Sequence, residues 1–155
     1  MQPRLHYAKV APGVYDAMDH IDTYLAGCGL EPVLLDLVRL RASQLNGCAY
    51  CLDMHWKDLR ALGQSEQRLC ALAAWRECPF YSARERAALA WAEVVTNVQD
   101  GHVSDAAFAE AHAVFSEKEL ADLTLAVTQI NAWNRLSITA RLVPGGYVSS
   151  LKPVA

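Results

Sequence analysis

From Val14 to Leu142 apolar residues recur every three to four positions, the spacing of helices that bury one face, and stretches that alternate apolar and polar are nearly absent. The pattern predicts an all-α chain. A first helix fits Val14 to about Cys28 and stops at Gly29. A second opens on Pro32, whose missing N–H costs nothing in a first turn, and runs to about Leu45 before Asn46 and Gly47. The third runs from about Cys48 to Leu62, ended by Gly63, and the fourth from Ser65 to Trp75, before the Pro79 loop. Ser82 with Glu85 and Ser116 with Glu119 have the spacing of capping boxes. They open a fifth helix to about Asn97 and a long last one to about Leu142, stopped by Pro144, Gly145 and Gly146, with Ser104 capping a shorter helix between them. The expectation is a bundle of about six to seven helices. With no internal repeat, low-complexity tract or linker, residues 1–155 read as a single domain.

Composition narrows the classes. Hydrophobic residues make up 53% of the chain and charged ones 20%, an apolar balance that predicts a homo-oligomer covering some helix surface. A net charge of −3, without a basic cluster, offers nothing to a phosphate backbone, so nucleic acid is not an expected partner. The N-terminal decamer lacks the basic-then-apolar order of a secretory signal, and no apolar run nears the ~18 residues of a membrane span. A cytoplasmic protein with no membrane partner is expected. In that compartment five cysteines (Cys28, Cys48, Cys51, Cys70, Cys78) do not form a structural disulfide framework. Any disulfide would be transient and chemical. Glycine-rich phosphate loops, the GxSxG elbow and HExxH are missing.

The chemistry concentrates in Asn46-Gly47-Cys48-Ala49-Tyr50-Cys51-Leu52-Asp53-Met54-His55. Helical spacing puts Cys51 and His55 on one face. In a helix interior the Cys48 and Cys51 Cβ atoms would lie roughly 5–6 Å apart, whereas a disulfide prefers about 3.8 Å. The pair can close only if Cys48 sits at the helix start, as Gly47 suggests. A helix start also favours the thiolate, but by only about 0.3–1 kcal/mol, while lowering a thiol from about 8.5 to about 7 takes roughly 2 kcal/mol. His55 is placed to assist by taking the Cys51 proton, with Asp36 on the preceding helix as its orienting acid. Glu85 and Glu93 are the next acids to consider.

The stretch from Leu34 to His55 resembles the core motif of the AhpD-like branch of the carboxymuconolactone decarboxylase family. Glu85 to Trp91 and Asn131 to Leu136 resemble it too, so the similarity covers most of residues 30 to 142. The resemblance implies an AhpD-like helical bundle that assembles as a trimer or hexamer and binds no organic cofactor, and no metal site is assigned. It implies reduction of a hydroperoxide at the Cys-X-X-Cys pair, with a thiol or disulfide partner as reductant. It gives Cys51 the attack, Cys48 the resolving step, and His55 a place in a proton relay. Asp36 stands where the family usually has Glu, which keeps the charge and shortens the reach by one methylene.

Other readings remain open at this level. A disulfide reductase could use the same pair, and the family's name-giving members are decarboxylases without redox cysteines. Cys48 and Cys51 could be small buried hydrophobes, or could bind zinc with His55 and Asp36 in an assembly protein. Asp36 could be a solvated charge beside Arg39. Cys70 reads as core, Cys28 and Cys78 as thiols beside turns, and Trp56, Trp75, Trp91 and Trp133 as packing residues. Asn131 and Asn134 lower the propensity of the last helix, so they are expected to hydrogen-bond between helices. His6, His20, His102 and His112 have no partner pattern.

Overall fold

A computed structural model describes residues 2–152. Among these, eight α-helices and no strand are found: α1 (Tyr7–Val10), α2 (Pro12–Ala26), α3 (Pro32–Asn46), α4 (Ala49–Ala61), α5 (Glu66–Cys70), α6 (Ala83–Thr96), α7 (Asp105–His112) and α8 (Glu117–Ala140). Among the described residues no helix is long and apolar enough to cross a membrane.

Helix α3 is the central element, packed against α4, α6 and α8. It buries Leu34, Leu35, Leu37, Val38, Leu40 and Ala42 around most of its circumference, and a helix apolar all round belongs inside. Each fully buried leucine contributes about 1.5–3 kcal/mol by leaving water. One core joins Val38 to Trp91, Phe115 and Leu123, and a second joins Leu37 to Leu59, Leu72 and Leu89. A third, smaller cluster of Ala42, Cys48, Cys51 and Ile130 lies in the seam of α3, α4 and α8. Beside it runs the expected asparagine network: Asn46 donates to Asn131 and Asn134 across 3.0 and 2.8 Å, and Asn134 donates to Ser43 across 3.0 Å.

The helix starts follow their caps. Both expected capping boxes form, at Ser82 and Ser116, and Ser65 and Ser104 accept backbone N–H groups as N-caps. Helix α2 begins two residues before the expected start, because Pro12 is itself suited to a first turn. The short α1 was not foreseen. Helix α8 ends at Ala140 through Arg141 in a left-handed conformation, two residues before Leu142.

The expected fourth helix breaks. After α5 the chain tightens into a 3₁₀ stretch, Ala71–Glu77, with Ala74 off helical geometry. Leu69 and Leu72 take the inward positions, so Cys70 beside Leu69 faces solvent. This corrects its reading as a core residue. Cys28 and Cys78 are half-buried, Trp75 and Trp91 are buried, and Trp56 is exposed.

Gly47 closes α3 at φ +68°, and a Cβ added there would meet nothing within 4 Å. A left-handed backbone costs a non-glycine residue roughly 1–2 kcal/mol. Gly47→Ala is therefore expected to lose about that much stability in urea denaturation, with no added loss from a clash.

Candidate active site

The turn at Gly47 releases Cys48 into an extended conformation (φ −83°, ψ 96°), where it is the N-cap of α4. Its Sγ accepts the Cys51 backbone N–H at 3.4 Å. The sulfur thus satisfies one of the donors that a helix start leaves unpaired. Both cysteines are buried free thiols, and the Cys51 Sγ also lies 3.7 Å from the Ser137 Oγ on α8.

These contacts divide the two thiols. The Cys48 thiol is lowered to about 7, chiefly by its interaction with the adjoining Cys51 thiol, with the Cys51 backbone N–H adding to this against the opposing effect of burial. Cys51, through the same interaction and its burial, is pushed well up. For Cys48 the neighbouring thiol adds to the help that the helix start supplies.

His55 lies one turn after Cys51 on α4 and is 4% exposed. Its Nδ1 is 3.3 Å from the Asp36 Oδ1. The oxygen lies off the line of an aligned ring N–H bond, and neither ring nitrogen has a hydrogen-bonded protein partner. The contact is an electrostatic pairing at close range. Asp36 is itself buried at 4% exposure, so it is not a solvated surface charge. Burial pushes its carboxyl up, but His55 and Arg39 outweigh that and hold it below the usual carboxylate range. Arg39 reaches Asp36 at 3.3 Å and Asp22 at 3.4 Å.

A second carboxylate accompanies the histidine. Asp58, buried on α4 one turn past His55, has a ligand atom within 4.8 Å of those of both His55 and Asp36. The Tyr147 hydroxyl donates to its Oδ1 at 2.8 Å, and burial together with this carboxylate pushes the Tyr147 phenol up. Lys57 holds the tyrosine segment through the carbonyls of Gly145 and Tyr147, so the chain after α8 folds back over α4. Sequence reasoning missed both residues. Asp58 was within reach of it, because an i, i+3 spacing from His55 places the two on one face. Tyr147 carried no signal, being 89 residues away in an aperiodic stretch.

Glu85 and Glu93 are engaged elsewhere: Glu85 with Arg68, and Glu93 with Arg41, Arg76 and Trp75. As to metals, Asp36, His55 and Asp58 are the one group of three potential ligands gathered this closely among the described residues, and it includes neither cysteine. The zinc ligand set suggested by the sequence is not assembled. The Arg39 cation on Asp36 and the Tyr147 bond on Asp58 compete with a cation at the observed group.

Cys51 and His55 open onto a cavity of about 440 Å³ walled by α2, α3, α4 and α8. Cys48 does not line it. Its sulfur lies behind Cys51, beside a smaller hollow bounded by Gly47, Ser137 and Arg141. Trp133, expected only to pack, forms part of the larger cavity wall.

The carboxymuconolactone decarboxylase family model matches residues 12–94. The uncharacterized protein YdfG of Bacillus subtilis (strain 168) is 38% identical over 138 residues, covering 89% of this chain and 94% of that protein. A crystal structure from Agrobacterium tumefaciens, of a protein of unknown function described as a putative antioxidant defence protein AhpD, superimposes with a TM-score of 0.90. It is 38% identical and covers 94% of this chain and 100% of its own. An uncharacterized peroxidase-related protein from Silicibacter sp. TM1040 shares the fold at a TM-score of 0.77 and 21% identity, covering 88% of this chain and 72% of its own. With the family model spanning more than half its length and a 38% identical relative spanning most of it, the chain belongs to the carboxymuconolactone decarboxylase family, in its AhpD-like branch.

Proposed function

We propose that the chain is a thiol peroxidase that reduces organic hydroperoxides through Cys51 and Cys48. The observation that carries this reading is the stacking of two thiols at a helix start, with Cys51 facing a substrate-sized cavity and the more acidic Cys48 directly behind it. The described relatives, a putative antioxidant protein and a peroxidase-related one, support the same direction.

With the lower ionisation of the pair at about 7, about half of the molecules carry a single thiolate at neutral pH, favoured on Cys48 by the Cys51 backbone N–H and thiol beside it. Passing the Cys51 proton to Cys48 or to His55 creates a Cys51 thiolate facing the cavity. That sulfur attacks one peroxide oxygen; an S–O bond forms, the O–O bond breaks, and the alkoxide leaves as the alcohol after taking a proton. His55, one turn from Cys51 and beside the Asp36 carboxylate, is the source assigned to that proton in this reading. Cys48 then attacks the Cys51 sulfenic acid, forming the disulfide as hydroxide leaves and is protonated to water. An external dithiol returns both sulfurs to the reduced state by exchange. Asp36, ionised and buried, favours the protonated imidazole during the cycle.

Two sets of variants test these roles. Cys51→Ser is expected to abolish hydroperoxide consumption, while Cys48→Ser forms a sulfenic acid that a dimedone probe traps; the reverse pattern would exchange the two sulfurs. Thiolate absorbance near 240 nm should show the first ionisation of the wild type at about 7. Cys51→Ala removes the adjoining thiol and should move the Cys48 ionisation upward. Because folding lowers this pKa from 9.0, the ionised thiol adds stability in full above pH 9, and the gain disappears as pH falls through about 7.

General-base assistance is worth about 10²–10⁴-fold, so Asp36→Asn is expected to reduce the rate at least tens-fold and to shift the pH–rate profile. Asp36→Glu should retain activity. Asp58→Asn should cost less, because Tyr147 already anchors that carboxylate. Equal rates and profiles for wild type and Asp36→Asn would reduce Asp36 to a structural charge.

A further inference from the structure

The cavity over Cys51 is larger than the peroxide group alone requires. Hydrogen peroxide occupies about the volume of two waters, roughly 60 Å³, against about 440 Å³ here, a size that encloses an organic molecule. One wall of the remaining space is aromatic. Tyr15 on α2 and Trp133 on α8 meet with ring centroids 5.6 Å apart, and Tyr7 on α1 packs edge-on against Tyr15 at 6.1 Å. Tyr15 and Trp133 are half-buried and both line the cavity. Trp133 also packs against the cluster that holds Cys51, which sets this aromatic surface beside the reacting sulfur.

The wall is fixed before a ligand arrives. The Trp133 indole N–H donates to Asp22 at 3.2 Å, and Asp22 in turn accepts from Arg39 at 3.4 Å. A ring held in this way loses little freedom on binding, and aromatic rings prefer one another in offset or edge-to-face contact. Charge sets a second limit. Arg39 is shared by Asp22 and Asp36, and Asp19, one turn before Asp22 on α2, adds a third carboxylate to the lining. Even with His55 protonated, three carboxylates outnumber the two cations, and a thiolate on either cysteine deepens the excess. An anionic ligand meets net repulsion that an uncharged one escapes.

We infer that the cavity selects uncharged substrates with an aromatic ring next to the reacting group, aryl-substituted hydroperoxides, with Trp133 as the specificity-determining residue for the ring and Asp19 contributing to the exclusion of anions. That the reacting group is a hydroperoxide rests on the peroxidase reading. The preference for an uncharged ring rests on the walls of the cavity.

The alcohols left after reduction bind without turning over, so they separate the two claims. The probes are 2-phenylpropan-2-ol, its saturated counterpart 2-cyclohexylpropan-2-ol, 4-(2-hydroxypropan-2-yl)benzoate and the methyl ester of that acid, titrated into the reduced protein with affinities read by ligand-observed NMR. The aromatic alcohol should bind roughly threefold to tenfold more tightly than the saturated one, although burial alone would favour the larger saturated ring. The ester should bind roughly fivefold or more tightly than the carboxylate at low salt, and the gap should narrow as salt is added. Trp133→Leu should erase the preference for the aromatic ring, and Asp19→Asn should shrink the gap between ester and carboxylate while leaving the ring preference in place. If the leucine variant does not fold, intermolecular NOEs from the probe's ring to Trp133 in the wild type decide the same point, their presence supporting the assignment and their absence opposing it. Equal binding of the two rings, a ring preference that survives Trp133→Leu, a carboxylate that binds as tightly as its ester, a gap unchanged by Asp19→Asn, or no binding by any probe would overturn the inference. Binding as expected in a protein that leaves cumene hydroperoxide unconsumed would overturn the peroxidase reading and leave the selection standing.

Discussion

The structure of the site depends on one backbone event: the left-handed turn at Gly47 that ends α3 and makes Cys48 the N-cap of α4. A continuous helix through this point would hold the two sulfurs apart and give the Cys51 N–H a carbonyl partner. The turn instead aims that N–H at the Cys48 sulfur and sets the Cys51 thiol beside it. Backbone geometry and thiol acidity are thus consequences of one residue's conformation. The same turn folds α4 back along α3, which brings Asp36 to His55.

That proximity has an energetic cost. A carboxylate as buried as Asp36 would ordinarily be destabilising unless opposite charges and hydrogen bonds compensate it. Arg39 supplies a fixed positive partner, His55 supplies one that can gain or lose a proton, and the C-terminal segment anchors the neighbouring Asp58 through Tyr147. His55 is left with ring nitrogens that no protein group saturates. A fully satisfied histidine would be more stable and less able to transfer protons. The local polar network is incomplete at the position where the proposed chemistry needs a mobile proton.

Much of this was legible in the sequence because the signals are local. Serine caps with glutamate three residues later marked α6 and α8, Pro32 marked α3, and the Cys51 to His55 spacing placed both on one face. Cys70 was misread because Leu69-Cys70-Ala71-Leu72 looks like a core segment, and only the 3₁₀ tightening after it turns the sulfur outward. The order of acidity of Cys48 and Cys51 depends on which thiol donates to the other, a matter of side-chain rotamers that spacing does not encode. Tyr147 joins the site through a contact between distant segments and lies outside the motif stretches, while Arg39 and Trp133 lie within them without a spacing that marks their place in the site.

The central claim is that Cys48 and Cys51 form one redox unit driven by hydroperoxide. It is tested most directly by treating the fully reduced protein with a single equivalent of cumene hydroperoxide, quenching with an alkylating agent and mapping the peptides by mass spectrometry. The structure predicts loss of one equivalent of peroxide together with a Cys48–Cys51 disulfide, reversed by dithiothreitol, with the exposed Cys70 still alkylated. Recovery of Cys48 and Cys51 as free thiols while Cys70 or Cys78 is oxidised would contradict it.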